Sequence, residues 1–171
     1  MKQICSIMSV MEIFFKEPTK IHFIREIGRK INLAQTSTKN NIKKLEKEGL
    51  IIKKHSKPFD GFIANRENEK FLYYKQIHNL YSLYDIKNKL IQEFYPKSLV
   101  LFGSYLRGED NETSDIDLLI VSKIKKNIDL SKLEENLKRK VHLTFVKDIP
   151  NLDKELKNKI KNGFVLYGES S

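Results

Sequence analysis

The chain has 171 residues, of which 40% are hydrophobic and 32% are charged, and its formal net charge is +10. This composition excludes an intrinsically disordered chain, and the length suffices for one ordinary domain or two small ones. No apolar run approaches the roughly 20 residues that span a bilayer, and the N-terminus lacks the apolar core of a secretion signal. The single cysteine, Cys5, cannot form an internal disulfide, so we expect a cytoplasmic protein without a membrane partner.

The positive charge is concentrated in the first third of the chain. Residues 1–66 contain 14 basic and 6 acidic residues, whereas residues 67–171 contain 18 basic and 16 acidic residues. This asymmetry predicts a polyanionic partner for the N-terminal part, and DNA is the expected one. The alternative is that the lysines serve solubility alone.

Three helices and a hairpin are predicted over residues 1–66. Apolar residues at helical spacing predict the first helix, which Pro18 ends. A second pattern of this kind and a turn at residues 32–33 precede a third helix, which covers about residues 35–48 and stops at Gly49. Two short apolar runs around a Pro/Gly loop then predict a β-hairpin.

This order of elements resembles that of a winged helix-turn-helix domain, and the sequence from Ile42 to Ile51 resembles the end of its recognition helix. The resemblance implies that this helix enters the major groove of DNA. The helix face opposite the apolar residues carries Gln35, Thr36, Lys39, Asn40 and Lys43. Two lysines of the wing, Lys53 and Lys54, would contact backbone phosphates. The alternative is a winged helix that contacts another protein.

Residues 67–97 are rich in apolar and aromatic residues at helical spacing, which predicts one long helix or two helices with a break near residues 82–85. We expect this segment to be a helical connector between two domains. It contains five tyrosines, and tyrosine is favoured at protein interfaces. The connector is therefore a candidate surface for a homodimer.

The clearest chemistry follows the short apolar run Leu99–Phe102, which is typical of a buried strand. Gly103 allows the backbone to approach a ligand closely. Ser104 is expected at the start of a short helix, where its hydroxyl and the local N–H groups can contact phosphate oxygens. Arg107 lies one turn further on and can add a positive charge.

Two carboxylates, Asp115 and Asp117, open the next apolar run. On a strand this spacing places both on one face, where they attract hard cations such as Mg²⁺. Two such ions can hold a triphosphate, activate an attacking hydroxyl and stabilise the leaving pyrophosphate.

Gly-Ser followed after ten residues by Asp-x-Asp resembles the signature of the DNA polymerase β-type nucleotidyltransferase superfamily. The closest resemblance is to the minimal nucleotidyltransferases of prokaryotes, some of which act as antitoxins toward a partner protein. It implies an α/β (α+β) fold with a mixed sheet flanked by helices over residues 98–171. It also implies transfer of a nucleoside monophosphate from ATP or another nucleoside triphosphate, with Asp115 and Asp117 as metal-binding catalytic residues. The nucleotide-binding residues would be Gly103, Ser104 and Arg107.

The sequence departs from this family at His142. The superfamily usually has a third carboxylate on the strand after the next helix, and here that setting reads Val-His-Leu. Histidine is a poor ligand for Mg²⁺, which prefers oxygen. Three outcomes are open: an inactive site that only binds nucleotide, slow catalysis with two carboxylates or with Mn²⁺, or replacement by another acid such as Asp148.

The sequence therefore predicts a winged helix-turn-helix over residues 1–66, a connector over residues 67–97 and a minimal nucleotidyltransferase domain over residues 98–171. The main hypothesis is transfer of AMP to a hydroxyl of a protein, such as a toxin-like partner, or of a nucleic acid. The competing hypothesis is a DNA-binding regulator whose nucleotidyltransferase domain is inactive or only senses nucleotide.

Overall fold

The computed structural model describes residues 2–148 and 154–169. The chain divides into two compact units, Met1–Lys75 and Gln76–Ser171. No helix in the described part of the chain is long and apolar enough to cross a membrane.

The described part of the first unit contains three helices and one hairpin before the start of a fourth helix: α1 (Lys2–Lys16), α2 (Ile24–Lys30), α3 (Gln35–Lys47), β1 (Ile51–Lys54) and β2 (Gly61–Ala64). The strands β1 and β2 are antiparallel, with Ile51 opposite Ala64. Gly49 follows α3 at a φ of 70°, a left-handed conformation that glycine adopts without a steric penalty. The chain can therefore turn directly from α3 into the hairpin.

The core of the first unit lies between its three helices and the hairpin. The side chains of Thr38, Ile42 and Leu45 on α3 are buried, as their helical spacing predicts. Gly28 of α2 packs so closely on the turn that an added Cβ would lie 2.9 Å from the carbonyl oxygen of Leu33. This close packing holds α2 against α3 and leaves the opposite face of α3 in solvent.

A buried histidine joins the hairpin to the segment before α2. The backbone of His22 exchanges two hydrogen bonds of 2.8 Å with Phe62. Its ring Nε2 donates to the carbonyl oxygen of Glu17 at 2.9 Å, because a carbonyl can only accept. Its Nδ1 is buried and has no hydrogen-bond partner among the described residues. Burial lowers the pKa of His22 below its ordinary value of 6.5.

We expect the first unit to lose stability as the pH falls below about 6.5. The unfolded chain takes up a proton on His22 at a higher pH than the folded chain does, so acid favours unfolding by up to about 1.4 kcal/mol per pH unit between the two pKa values. Urea unfolding of the wild type and of His22→Gln between pH 7.5 and 5 measures this dependence. Equal pH slopes for the two proteins would contradict the assignment to His22.

The described part of the second unit contains the second half of a helix that begins in the first unit, together with four strands and four further helices. The helices are α4 (Glu69–Ser82), α5 (Tyr84–Phe94), α6 (Gly103–Leu106), α7 (Ser131–Leu137) and α8 (Lys154–Ile160). The strands are β3 (Ser98–Phe102), β4 (Ile116–Val121), β5 (Val141–Val146) and β6 (Phe164–Gly168). The strand order is β5-β4-β3-β6; β3 is antiparallel to β4 and β6, and β4 is parallel to β5. The expected mixed sheet is thus confirmed.

Both faces of this sheet are covered. On one face, α5 packs against Leu99, Leu101 and alternate residues of β4. On the other face, Leu156 and Ile160 of α8 pack against the remaining apolar residues of β3 and β4. Asp117 belongs to this second face, because its neighbours Ile116 and Leu118 point to the first face and successive residues of a strand point to opposite faces. The part of the face around Asp117 lies beyond the apolar patch that α8 covers.

The segment predicted as a connector forms two helices in the structure, which is the second of the two predicted alternatives. A break at Leu83 separates α4 from α5, and the apolar side chains of α5, including Ile86, Leu90 and Phe94, belong to the core of the second unit. The division between the units falls within α4. Amphipathic spacing identifies a buried helix face without identifying what covers it, so the sequence could not separate a connector from a core helix. Tyr81, Tyr84 and Tyr95 are exposed, and the homodimer stays a prediction.

Candidate active site

Gly103 and Asp117 meet at the end of β3. In the sheet register Phe102 lies opposite Asp117, so the residue after Phe102 lies beside the carboxylate. Gly103 has a φ of 82°, and a Cβ added there would lie only 2.5 Å from Oδ2 of Asp117. The carboxylate therefore occupies the space that any other side chain would fill. Position 103 therefore requires glycine for two reasons: the backbone has a positive φ, and the Asp117 carboxylate leaves no room for a Cβ.

His142 lies beside Asp117 on the adjacent strand. The parallel register pairs these two residues, and Nδ1 of His142 lies 3.3 Å from Oδ1 of Asp117. The imidazole is 65% exposed and the carboxylate 30% exposed. The residue at the position of the expected third acid thus lies beside Asp117, and it offers an imidazole nitrogen in place of a carboxylate oxygen.

A cavity of about 650 Å³ opens over these residues. This volume lies within the range of small-molecule sites. Its wall contains Gly103, Arg107, Asp117 and His142. The wall is completed by Gln76, Phe102, Leu106, Thr144, Leu156, Asn158, Asn162, Gly163 and Phe164.

Two of the predicted site residues lie outside this wall. Ser104 is half-buried in the one-turn helix α6. Asp115 is exposed immediately before β4 and lines a separate depression of about 390 Å³, together with Ser114, Glu134 and Lys140. The structure therefore brings Asp117, Gly103, Arg107 and His142 together and places Ser104 and Asp115 at the edge of the group.

Arg107 is the only lysine or arginine among the described residues of the cavity wall. Its Nε donates to the carboxylate of Glu109 at 2.7 Å, and both side chains are about half exposed. An exposed pair of this kind contributes little to stability. The guanidinium can therefore exchange this carboxylate for a phosphate at low cost.

The donor set partly fits a divalent metal. Mg²⁺ is commonly held by one or two carboxylates together with substrate phosphates. Asp117 supplies one carboxylate in the cavity wall, whereas Asp115 lines the separate depression. His142 does not fit the oxygen preference of Mg²⁺. The alternative acid Asp148 pairs with Lys97 at 3.1 Å and is not among the described residues of the cavity wall. Within residues 2–148 and 154–169, no cluster of three or more His, Cys, Asp or Glu side chains could hold a metal ion.

A buried polar network lies under the loop between the two halves of the motif. The carboxylate of Asp110 accepts hydrogen bonds from Arg139 at 3.1 Å and from the amide of Asn79 at 2.8 Å. The same amide donates to the carbonyl oxygen of Tyr105 at 2.8 Å. Burial raises the pKa of the Tyr105 phenol to about 12. The network connects α4, α6 and the start of β5, and so fixes the backbone that carries Gly103 and His142.

Sequence reasoning missed the far wall of the cavity, in particular Asn158, Asn162 and Phe164. These residues come from α8, the turn after it and β6. They reach the site only because β6 pairs with β3, which comes more than 60 residues earlier. The sequence offered one local indication of this wall: two asparagines lie four residues apart, just before a glycine and a strand.

The residues predicted to contact DNA are exposed on two elements of the first unit, α3 and the hairpin. On α3, the side chains of Gln35, Thr36, Lys39, Asn40 and Lys43 are exposed. On the hairpin, Lys53 and Lys54 are also exposed. The ammonium group of Lys53 pairs with Asp60 at 2.8 Å. The surface therefore contains four lysines, one of which is partly neutralised.

Comparison with known proteins identifies the second half of the chain. Residues 83–167 match the family described as "Nucleotidyltransferase domain". Two proteins of Methanocaldococcus jannaschii each match 34 residues, which are 20% of this chain. "Putative protein adenylyltransferase MJ1215" is 50% identical over this length, which is 40% of that protein. "Putative protein adenylyltransferase MJ0126" is 53% identical over 34 residues, which are 35% of that protein. The matched segment thus spans less than half of either relative.

The matched family region begins at α5 and ends in β6, so it includes the whole sheet and every described element around it except α4. It contains the glycine, the carboxylates and the histidine of the site. Residues 83–167 of this chain are therefore a nucleotidyltransferase domain.

Proposed function

We propose that this chain transfers AMP from ATP to a hydroxyl group of a protein. The oxygen of the acceptor hydroxyl bonds to the α-phosphorus, the bond between the α- and β-phosphoryl groups breaks, and pyrophosphate leaves. The hydroxyl proton passes to water. The observation that carries this proposal is the position of the Asp117 carboxylate, which lies beside Gly103 in the wall of a cavity within a nucleotidyltransferase domain.

The charge of each site residue would determine whether it binds the triphosphate or the metal ion. Gly103 lets the triphosphate approach the backbone, and Ser104 and Arg107 supply a hydroxyl and a guanidinium for its oxygens. Asp115 and Asp117 would hold Mg²⁺ or Mn²⁺. When bound, this metal ion would neutralise negative charge on the triphosphate. His142 hydrogen-bonds to Asp117 and limits the orientations of that carboxylate.

A protein acceptor is favoured over a nucleic-acid acceptor by the comparisons, because both named relatives are called protein adenylyltransferases. A toxin-like partner protein is the candidate that the resemblance to antitoxin-type enzymes suggests. A nucleic-acid hydroxyl is the other acceptor, and the experiment below includes it.

The test is incubation of the full chain with α-labelled ATP, Mg²⁺ or Mn²⁺, and candidate protein and nucleic-acid acceptors. We expect label on a protein, and we expect more label with His142→Asp, which adds the carboxylate that the family pattern contains. Asp117→Asn serves as the control and should leave the acceptor unlabelled. Absence of label with both the wild type and His142→Asp would contradict transfer chemistry.

A second candidate function is DNA-binding regulation through a winged helix-turn-helix in the first unit, with the nucleotidyltransferase domain inactive or sensing nucleotide. The observation that favours it is the arrangement of α3. Its apolar side chains are buried in the core, while Lys39, Asn40 and Lys43 are exposed along the opposite side. The exposed side chains suit a helix in a major groove, and the hairpin lysines suit backbone phosphates.

Removal of two lysines from α3 should weaken DNA binding and reduce its salt dependence. Each lysine that neutralises a phosphate steepens the fall of log K with log salt by about 0.9. We therefore expect Lys39→Gln/Lys43→Gln to lower that slope by about 2, measured by fluorescence anisotropy on duplex DNA from 50 to 200 mM salt. The control is Lys132→Gln/Lys138→Gln, which removes two exposed lysines from the second unit. Equal slopes for the α3 variant and the wild type would show that α3 does not contact DNA.

A further inference from the structure

The two oxygens of the Asp117 carboxylate have different neighbours. Oδ2 lies on the side of Gly103, where an added Cβ would be 2.5 Å away, and Oδ1 lies 3.3 Å from Nδ1 of His142. Among the described residues, no lysine or arginine pairs with this carboxylate. Its negative charge is therefore available to a cation on the side of β5.

The spacing of Nδ1 and Oδ1 suits two ligands of one metal ion. The heavy atoms of an N–H···O hydrogen bond are most often about 2.9–3.0 Å apart, so 3.3 Å is long for such a bond. Two ligand atoms that each lie about 2.1 Å from a metal are about 3.0 Å apart at a right angle and about 3.4 Å apart at the tetrahedral angle. His142 and Asp117 can therefore hold one cation between them.

This pair of donor atoms does not fit Mg²⁺. That ion takes oxygen ligands, chiefly carboxylates and phosphates. Asp117 is the only Asp or Glu among the described residues of the cavity wall, and Asp115 lines the separate depression. An imidazole nitrogen suits transition-metal ions such as Zn²⁺ and Ni²⁺. The exchange of an acid for His142 thus removes a ligand for Mg²⁺ and adds one for a transition-metal ion.

We propose that Asp117 and His142 together bind a first-row transition-metal ion with affinity for imidazole, such as Zn²⁺, in preference to Mg²⁺. Water and phosphate oxygens would take the other coordination positions, because the described wall contains no further His, Cys, Asp or Glu. This inference rests on the proposed function, which assigns a metal ion to this cavity. It changes the identity of that ion and adds His142 as its ligand.

The hairpin of the first unit contains a similar pair of side chains, which provides a matched control. Nδ1 of His55 lies 3.0 Å from Oδ1 of Asp60. However, the ammonium group of Lys53 contacts the same carboxylate at 2.8 Å, and a second cation there would be repelled. His55 and Asp60 also lie in the loop between β1 and β2, whereas Asp117 and His142 lie on paired strands. We therefore expect zinc to bind at His142 and not at His55.

The test is ¹⁵N NMR of the full chain labelled at its four histidines, titrated with Zn²⁺ or Mg²⁺ in the absence of nucleotide. The variants His142→Asn and His55→Asn identify the two signals. We expect Zn²⁺ to shift the Nδ1 signal of His142 before that of His55, and Mg²⁺ to shift neither.

Asp117→Asn keeps the imidazole of His142 as a reporter while it removes the carboxylate charge. The zinc concentration that shifts the His142 signal should rise about 100-fold, the upper end of what the loss of an outer-shell partner of a metal costs. His142→Asp restores an oxygen ligand, so calorimetry should show Mg²⁺ binding about tenfold more tightly than in the wild type. Circular dichroism confirms that each variant is folded.

The outcomes separate this inference from the proposed function. A His142 signal that Zn²⁺ leaves in place, or that shifts at the same zinc concentration in Asp117→Asn, would overturn the inference. Zinc binding at His142 without label on any acceptor would support the metal assignment and contradict the transfer. Label on an acceptor with Mg²⁺, together with a His142 signal that ignores Zn²⁺, would overturn the inference and leave the transfer standing.

Discussion

Replacement of Gly103 by alanine is expected to lower nucleotidyl transfer about 100-fold. The new Cβ would lie 2.5 Å from Oδ2 of Asp117, whereas ordinary van der Waals contacts begin at 3.4 Å. The carboxylate end can swing away, so the fold persists, but it must move by about 1 Å, and a misplacement of that size costs on the order of 100-fold in rate. The positive φ adds strain of about 1–2 kcal/mol. Labelling assays and urea unfolding measure the two effects.

The matched control is Gly49→Ala in the first unit. Gly49 has a φ of 70°, so the substitution imposes similar backbone strain, and its nearest neighbour is the amide of Asn68 at 3.3 Å. We expect the same loss of stability without the loss of transfer. If Gly103→Ala and Gly49→Ala retain equal activity, the position of the Asp117 carboxylate does not control the reaction.

Replacement of Arg139 by methionine is expected to destabilise the second unit by about 3 kcal/mol. The side chains of Arg139 and Asp110 are 3% and 1% exposed, and the removal of one partner from a buried ion pair costs about 3–5 kcal/mol. The low end of this range applies because Asn79 still donates to the carboxylate. Since the chain has no tryptophan, circular dichroism in urea is the suitable measurement.

The double variant Asp110→Leu/Arg139→Met should recover most of this loss, because an apolar pair of similar volume often equals or exceeds a buried ion pair in stability. Lys97→Met provides the contrast. It removes one partner of an ion pair whose side chains are 64% and 48% exposed, so its effect should stay below about 1 kcal/mol. Equal losses for Lys97→Met and Arg139→Met would show that burial does not set the cost.

The local parts of the site could be predicted from the sequence, and the distant parts could not. Gly103 and the strand from Ile116 to Val121 follow from an apolar run, a glycine and an alternating carboxylate, which are all short-range signals. The pairing of His142 with Asp117 follows once β4 and β5 are neighbours. In contrast, Asn162 reaches the cavity through the pairing of β6 with β3, and no local pattern specifies which strands become neighbours.

The buried ion pair could not be predicted for a different reason. Asp110 and Arg139 both lie in polar segments that read as solvated loops, and charged residues are almost always exposed. Only the close approach of α4, α6 and the start of β5 removes them from water. Burial of a charge is a property of the assembled fold, so the sequence carries no separate signal for it.

His142 lies on the outermost strand of the described sheet, so an uncharged residue can replace it with little effect on folding. The strand order places β5 at one end of the sheet as described, and the imidazole is 65% exposed. Substitutions at such surface positions usually change stability by less than about 0.5 kcal/mol. An amide or aliphatic residue can therefore be installed at position 142 at a small cost, whereas an acidic residue there would lie directly opposite Asp117 and be destabilised by the like charge.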